Sequence, residues 1–204
     1  TADGIACSRD KVQSLQLMAG VGLPVPRTVL ATTPQAAFAA MQAVGKPPIV
    51  VKLVQGTQGQ GVFLVPNVAT VTAVLAKLRA LNKPALIQEY IAESRGQDTR
   101  ILVVGDRCVA AMRRSAANGD FRSNLHLGGT AVSVELTPEI EQLAIAATKA
   151  HGLGVAGVDI LQSKRGPLLL EINSSPGLEG IEKTTGVNVA DAIVRYLEEP
   201  GVGE

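Results

Sequence analysis

Tryptophan is absent from this 204-residue chain, and tyrosine (two) and phenylalanine (three) are scarce. Proteins that grip single-stranded nucleic acid do so largely by stacking bases on aromatic rings, so a platform of that kind is excluded. An excess of one charge is also missing: 19 Lys and Arg against 18 Asp and Glu leave a formal +1, without long like-charge blocks. No broad footprint for nucleic acid or an anionic membrane exists, and any polyanion must be met locally. No apolar run approaches the ~20 residues of a membrane-spanning helix, and the start shows no signal-peptide pattern. Cys7 and Cys108 fit no metal-ligand spacing, and His126 and His151 are too few and too far apart for a zinc site. Both histidines read as structural, and the sparse cysteine points to a reducing cytoplasm.

What is present is a 46% hydrophobic chain whose core must be built from Ala, Val, Leu and Ile. At ~150 residues per domain the length suits one to two compact units. The first nine residues show no clear periodicity and read as the remnant of a linker from a longer protein. Asp10–Gly20 has helical spacing, Val25–Ala31 reads as a strand, Pro34–Val44 as a helix and Pro48–Val54 as a strand. A glycine-rich stretch, Gln55–Gly61, resumes at once as the strand Val62–Val65, followed by a helix over Val68–Leu81 and a strand over Ala85–Tyr90. Gly105-Asp106 joins two hairpin strands, Thr137-Pro138-Glu139 starts a helix, and two further strands cover Val155–Gln162 and Leu168–Asn173. A helix over Val189–Leu197 precedes a short tail. Hairpins mixed with crossing helices predict an α+β fold.

Two glycine patterns lack the context their resemblances require. Gly152-Leu153-Gly154-Val155-Ala156-Gly157 has dinucleotide-fingerprint spacing, but it ends a helix and opens a strand, the reverse of what that fingerprint needs. Gly56–Gly61 begins like a phosphate-binding P-loop, yet Val62 and Phe63 stand where Lys and Ser or Thr are required. A glycine-rich hairpin can still close over phosphates with its backbone N–H groups, the alternative being a plain turn.

The sharpest constellation is Asp159, Glu171 and Asn173. Glu171 and Asn173 are two apart on one strand and share a face. With the turn centred on Arg165, Asp159 lies as far before it as Glu171 lies after it, so the two carboxylates face each other. Facing carboxylates repel unless a cation or a shared proton lies between them, and Asp, Glu and Asn oxygens suit Mg²⁺ or Mn²⁺. The alternative is a screened pair on a solvated face, and a one-residue slip would decide between faces. Lys52, inside an apolar run, is either exposed or aimed at phosphates. Arg100, Arg113, Arg114 and Arg122 form either a solvated face or an anion clamp. Met18, Met41 and Met112 read as core fillers.

Together Gln88-Glu89-Tyr90-Ile91, the Gly56–Gly61 loop after Lys52, Phe121–Gly129, Gly154–Ile160 and Glu171–Glu182 resemble the RimK branch of the ATP-grasp superfamily, over about Ser8 to Glu198. The resemblance implies two α+β subdomains with the nucleotide site between them. The expected division is a linker remnant at 1–9, a small subdomain at 10–87, a large one at 88–199 and a tail at 200–204. It implies an ATP-dependent carboxylate–amine ligase working through an acyl phosphate, which adds L-glutamate to the C-terminus of a small-subunit ribosomal protein. Lys11 and Lys52 would contact ATP phosphates under Gly56, Gly59 and Gly61, while Glu89, Tyr90 and Ile91 would line the adenine pocket. Asp98 would hold the ribose, and Arg122, Ser123 and Asn124 would serve the nucleotide and acyl-phosphate region, with Arg122 and Lys52 catalytic. Asp159, Glu171 and Asn173 would bind two Mg²⁺ or Mn²⁺ ions. Relatives carry a domain before the ATP-grasp portion and a basic residue where Leu127 stands, and a homo-oligomer is expected of the full-length protein. Two alternatives stand beside this: a ligase for a small-molecule or other carrier acceptor, and a module that binds ATP without turnover.

Overall fold

The computed structural model describes residues 1–54, 61–81, 83–117, 121–123 and 128–199. They divide into two compact units, one built from Pro26–Ala92 and the other from Thr1–Val25 with Glu93–Glu204. Both are antiparallel sheets layered with helices, as the α+β expectation requires. Among the described residues no helix is long and apolar enough to cross a membrane.

The first unit has a four-stranded sheet in the order β1-β4-β2-β3, from β1 (Thr28–Ala31), β2 (Ile49–Leu53), β3 (Val62–Val65) and β4 (Ala85–Glu89). Strand alternation sends Ala31, Ile49, Val51, Val65, Ala85 and Ile87 to one face. There they meet Ala40, Met41 and Val44 of α3 (Pro34–Val44) and Val71 and Leu75 of α4 (Val68–Ala80). Both helices are started by side-chain caps: Thr33 accepts from Ala36 N and Asn67 from Thr70 N.

The second unit has a five-stranded sheet in the order β7-β6-β5-β8-β9. Its strands are β5 (Gln97–Val104), β6 (Arg107–Ser115), β7 (Thr130–Ser133), β8 (Val155–Ser163) and β9 (Gly166–Asn173). One face carries Ile101, Val103, Ala111, Val158, Ile160, Leu169 and Ile172, packed against α5 (Pro138–Ala150) and Met18 of α2 (Lys11–Gly20). The other face is apolar at one end only. There Leu102, Ala110 and Met112 meet Ile181 of α6 (Glu179–Thr185) and Val189 of α7 (Val189–Glu198). The remainder of that face is polar.

The boundaries differ from those read in the sequence. Residues 10–25 belong with the later strands, because Met18 is fully buried in their core and Pro24 O accepts from Leu169 N at 2.8 Å. Residues 2–9 form a helix, α1 (Ala2–Arg9), capped by Thr1. It buries Gly4 and Ser8, small residues that leave no mark on hydropathy. Helix α6 and strand β7 were likewise not read from the sequence.

Candidate functional site

On the polar part of the five-stranded sheet, two-residue periodicity places Asp98 and Arg100 of β5 on one face. Register supplies their neighbours: Asp98 pairs with Arg114, Arg100 with Asp159, and Asp159 with Glu171, while Gly157 pairs with Asn173. The result is a row of alternating charges across β6, β5 and β8, with Glu171 of β9 as a second carboxylate beside Asp159. Arg114 donates Nε and Nη2 to Asp98 at 2.7 and 2.6 Å and reaches Asp159 Oδ2 at 2.9 Å. Arg100 donates Nε to Asp159 Oδ1 and Nη2 to Oδ2, both at 2.7 Å. Ser123 Oγ donates to Asp98 Oδ2 at 2.6 Å.

The row is buried: Asp98 is 5%, Arg114 4% and Asp159 3% exposed. Burial works against the charged form of Asp159, but Arg100 and Arg114 outweigh it and hold its carboxyl below the usual carboxylate range. Burial, joined by the charge of Asp159, pushes Asp98 above its ordinary value against the pull of Arg114 and Ser123. Arg100 and Arg114 are therefore no solvated face: both are paired with the protein's own carboxylates. Arg113, of opposite strand parity, is exposed. The signal available beforehand was a pair of opposite charges two apart, just before the apolar run Ile101–Val104.

Asp159, Glu171 and Asn173 present two carboxylates and an amide on one face of paired strands. No group of three His, Cys, Asp or Glu forms among the described residues; beside the two carboxylates the Asn173 amide offers a third side-chain oxygen. Asn173 Nδ2 points to Gly157 O at 3.5 Å, leaving its oxygen as the atom suited to a cation. Asp159 Oδ1 accepts one bond, so an acceptor direction remains on it. All-oxygen donors of this kind fit a hard divalent cation such as Mg²⁺. Gly157 lets the chain after Asn173 fold back over the strand, since a Cβ there would lie 2.8 Å from Pro176 Cβ.

The other expected residues fall in both units. Lys11 opens α2 immediately after its cap, Asp10. Arg122 is half-buried with its guanidinium 5.9 Å from the centre of the Phe121 ring. In the four-stranded sheet, Lys52 shares a face with Leu86 and Gln88, and Gly61 immediately precedes β3 with φ 75°. Glu89 ends β4 in a position that sequence reading missed the partner for: Arg27 gives its carboxylate three bonds, from the backbone N at 2.8 Å, Nε at 2.9 Å and Nη2 at 2.8 Å. Tyr90 is half-buried and Ile91 buried. Gly56, Gly59 and Asn124 lie outside the described residues.

A family model for the RimK-like ATP-grasp domain matches residues 8–197. The chain is 52% identical over 199 residues to a probable alpha-L-glutamate ligase of Picosynechococcus sp., covering 98% of this chain and 66% of that protein. It is 50% identical over 195 residues to probable alpha-L-glutamate ligase 1 of a Shewanella species, covering 96% of this chain and 65% of that one. The chain thus spans just under two thirds of the length of these curated relatives. Among solved structures it resembles the ATP-grasp ligase PsnB, complexed with a variant of its minimal precursor, Mg and ADP. The TM-score is 0.75 at 25% identity, over 95% of this chain and 59% of PsnB. Two helix-covered antiparallel sheets, the donor-bearing hairpin of β8 and β9, and a family match over nearly the whole length agree. This chain belongs to the RimK-like ATP-grasp family.

Proposed function

We propose that this chain carries the ATP-using machinery of a cytoplasmic ligase that joins L-glutamate to the C-terminus of a small-subunit ribosomal protein, working as a homo-oligomer when full-length. The observation that carries the reading is the placement of Asp159, Glu171 and Asn173 on one sheet face in a chain of this family. The names of the curated relatives support glutamate as the amino acid.

A carboxylate is a poor electrophile. In this reading one of its oxygens attacks the γ-phosphorus of ATP, and ADP leaves with the electron pair of the broken bond. The amine of glutamate then attacks the acyl carbon, expels phosphate and gives up a proton. Both reactants of the first step are anions, so their charges must be offset. Lys11 and Lys52 are assigned to the phosphates, and Arg122 to the oxyanion and the departing phosphate. Asp159, Glu171 and Asn173 would hold two Mg²⁺ or Mn²⁺ ions, which when bound would neutralise triphosphate charge.

Glu89, Tyr90 and Ile91 are assigned to the adenine. Because Arg27 takes three bonds to the Glu89 carboxylate, the main chain of this segment is what would meet a purine edge. Asp98 is assigned to the ribose, whose hydroxyl would share it with Arg114 and Ser123. Ser123 and Asn124 would border the acyl phosphate, and Gly56, Gly59 and Gly61 would exclude water above it. No side-chain nucleophile is required.

The test supplies the full-length protein with ATP, Mg²⁺ and radiolabelled glutamate, and either the ribosomal protein or small amine and carboxylate acceptors. Label at the protein C-terminus with glutamate-dependent ADP release is expected. Label in a small acceptor alone overturns the ribosomal assignment, and nucleotide binding without ADP release for any acceptor overturns the ligase.

A further inference from the structure

We propose that Arg100 makes divalent-cation binding at Asp159 depend on a bound polyphosphate; this rests on the metal-ligand reading of Asp159, Glu171 and Asn173. A carboxylate offers about four acceptor directions. In Asp159 three are filled by guanidinium N–H groups: Arg100 Nε on Oδ1, and Arg100 Nη2 and Arg114 Nη2 on Oδ2. A bare dication approaching the remaining direction on Oδ1 meets two guanidinium charges at a carboxylate that is 3% exposed, where water screens poorly.

The two arginines are not equivalent. Arg114 is anchored by two further bonds to Asp98, and its side chain is 5% exposed. Arg100 is held by Asp159 alone among the described residues, and its side chain is 19% exposed. Arg100 is therefore the one that can let go. Released, its planar fork matches a phosphate as well as it matches the carboxylate. Polyphosphate arriving with the cation draws Arg100 off Asp159, frees one acceptor direction on each carboxylate oxygen and removes one of the two facing positive charges. Without polyphosphate Arg100 stays in place and the bare ion is rejected. Arg100 acts as a positioning residue, and the coupling is reciprocal: the cation tightens polyphosphate binding by the same factor.

The experiment measures Mn²⁺ binding by electron paramagnetic resonance, with and without a non-hydrolysable ATP analogue, in wild type, R100Q and R100K. R100Q removes the charge while keeping donors and approximate volume. It is expected to bind bare Mn²⁺ about tenfold more tightly than wild type and to show less tightening with the analogue, within the usual span of coupling between sites. R100K keeps the charge and should follow wild type. R100Q binding bare Mn²⁺ no more tightly than wild type, or R100K tightening as much as R100Q, overturns the proposal. Should R100Q not fold, wild type decides: bare Mn²⁺ held as tightly as Mn²⁺ with the analogue overturns it. An E171Q exchange in the same backgrounds separates the two levels, since unchanged Mn²⁺ binding there places the ion elsewhere and removes the metal reading itself.

Discussion

Asp159 stands directly across from Glu171, although the turn between their strands would by itself pair Asp159 with Leu170. The turn is Lys164-Arg165, flanked by the pair Ser163 and Gly166, and the ladder runs regularly to Ile160 opposite Leu169. There the register shifts by one: Leu170 is the extra residue of a β-bulge, and Asp159 meets Glu171. The bulge also explains how Leu169 and Ile172, three apart on one strand, enter the same core.

Glu171→Gln is the clean test of the donor set. Glu171 is exposed, so stability without nucleotide should fall less than in a variant of the buried Asp159. The rise in melting temperature with Mg²⁺ and ATP should be lost. Asp159→Asn should abolish the same rise but also cost about 3–5 kcal/mol, because half-buried Arg100 loses its charged partner and buried Arg114 loses one of its two. Thermal shifts and urea unfolding read both effects. A full Mg²⁺-dependent shift in Glu171→Gln would remove Glu171 from the site.

Adjacent arginines should behave oppositely. Arg114→Ala leaves Asp98 and Asp159 buried short of a cation and should cost about 3–5 kcal/mol. Arg113→Ala, on the exposed side of the same strand, should stay within about 0.5 kcal/mol. Urea midpoints of the two variants check the burial of the charged row, and equal values would contradict it.

The two buried carboxylates should bend the acid limb of stability in opposite directions. Asp159 is held below its unfolded value of about 3.9, so its contribution is present above that pH and disappears as pH falls through the folded value. Asp98 is raised, so the folded state takes up a proton before the unfolded one, and its contribution grows as pH falls toward about 3.9. Urea midpoints against pH should lose the first feature in Asp159→Asn and the second in Asp98→Asn. Curves of one shape in all three proteins would contradict both directions.

Gly157→Ala should destabilise by about 1–3 kcal/mol through crowding against Pro176, and should weaken Mg²⁺-dependent nucleotide binding by displacing the chain next to Asn173. Gly177→Ala is the control, since a Cβ there meets nothing within 4 Å. Melting temperatures with and without Mg²⁺ and nucleotide distinguish the two.

Cys108 should be nearly inert toward alkylation at pH 8. Burial, with the charge of Glu141, pushes its thiol up to about 11. Iodoacetamide labelling followed by mass spectrometry should become fast near that pH or on unfolding; fast labelling of native protein at pH 8 would contradict the shielding.

The helix starts at Pro34, Val68 and Thr137 and the hairpin at Gly105-Asp106 were readable because helix starts and tight turns depend on a few consecutive residues. The pairing of Asp159 with Glu171 was also expected, but for a different reason. The sequence centres the turn on Arg165, whereas the turn is Lys164-Arg165 followed by a bulge, and the two differences cancel at Asp159 and Glu171. Arg27 as the partner of Glu89 was out of reach, because the two lie 62 residues apart and only the antiparallel pairing of β1 with β4 joins them.

By itself, then, the sequence determined the α+β alternation, the capped helices, and the shared face of Glu171 and Asn173, since each follows from backbone periodicity and short-range hydrogen bonding. Only tertiary structure decided which charges neutralise each other. Asp98, Arg100, Arg114 and Asp159 come from three strands, and pairing register sets who meets whom. Burial then makes each buried carboxylate need a guanidinium partner, which no count of residues along the chain could have assigned.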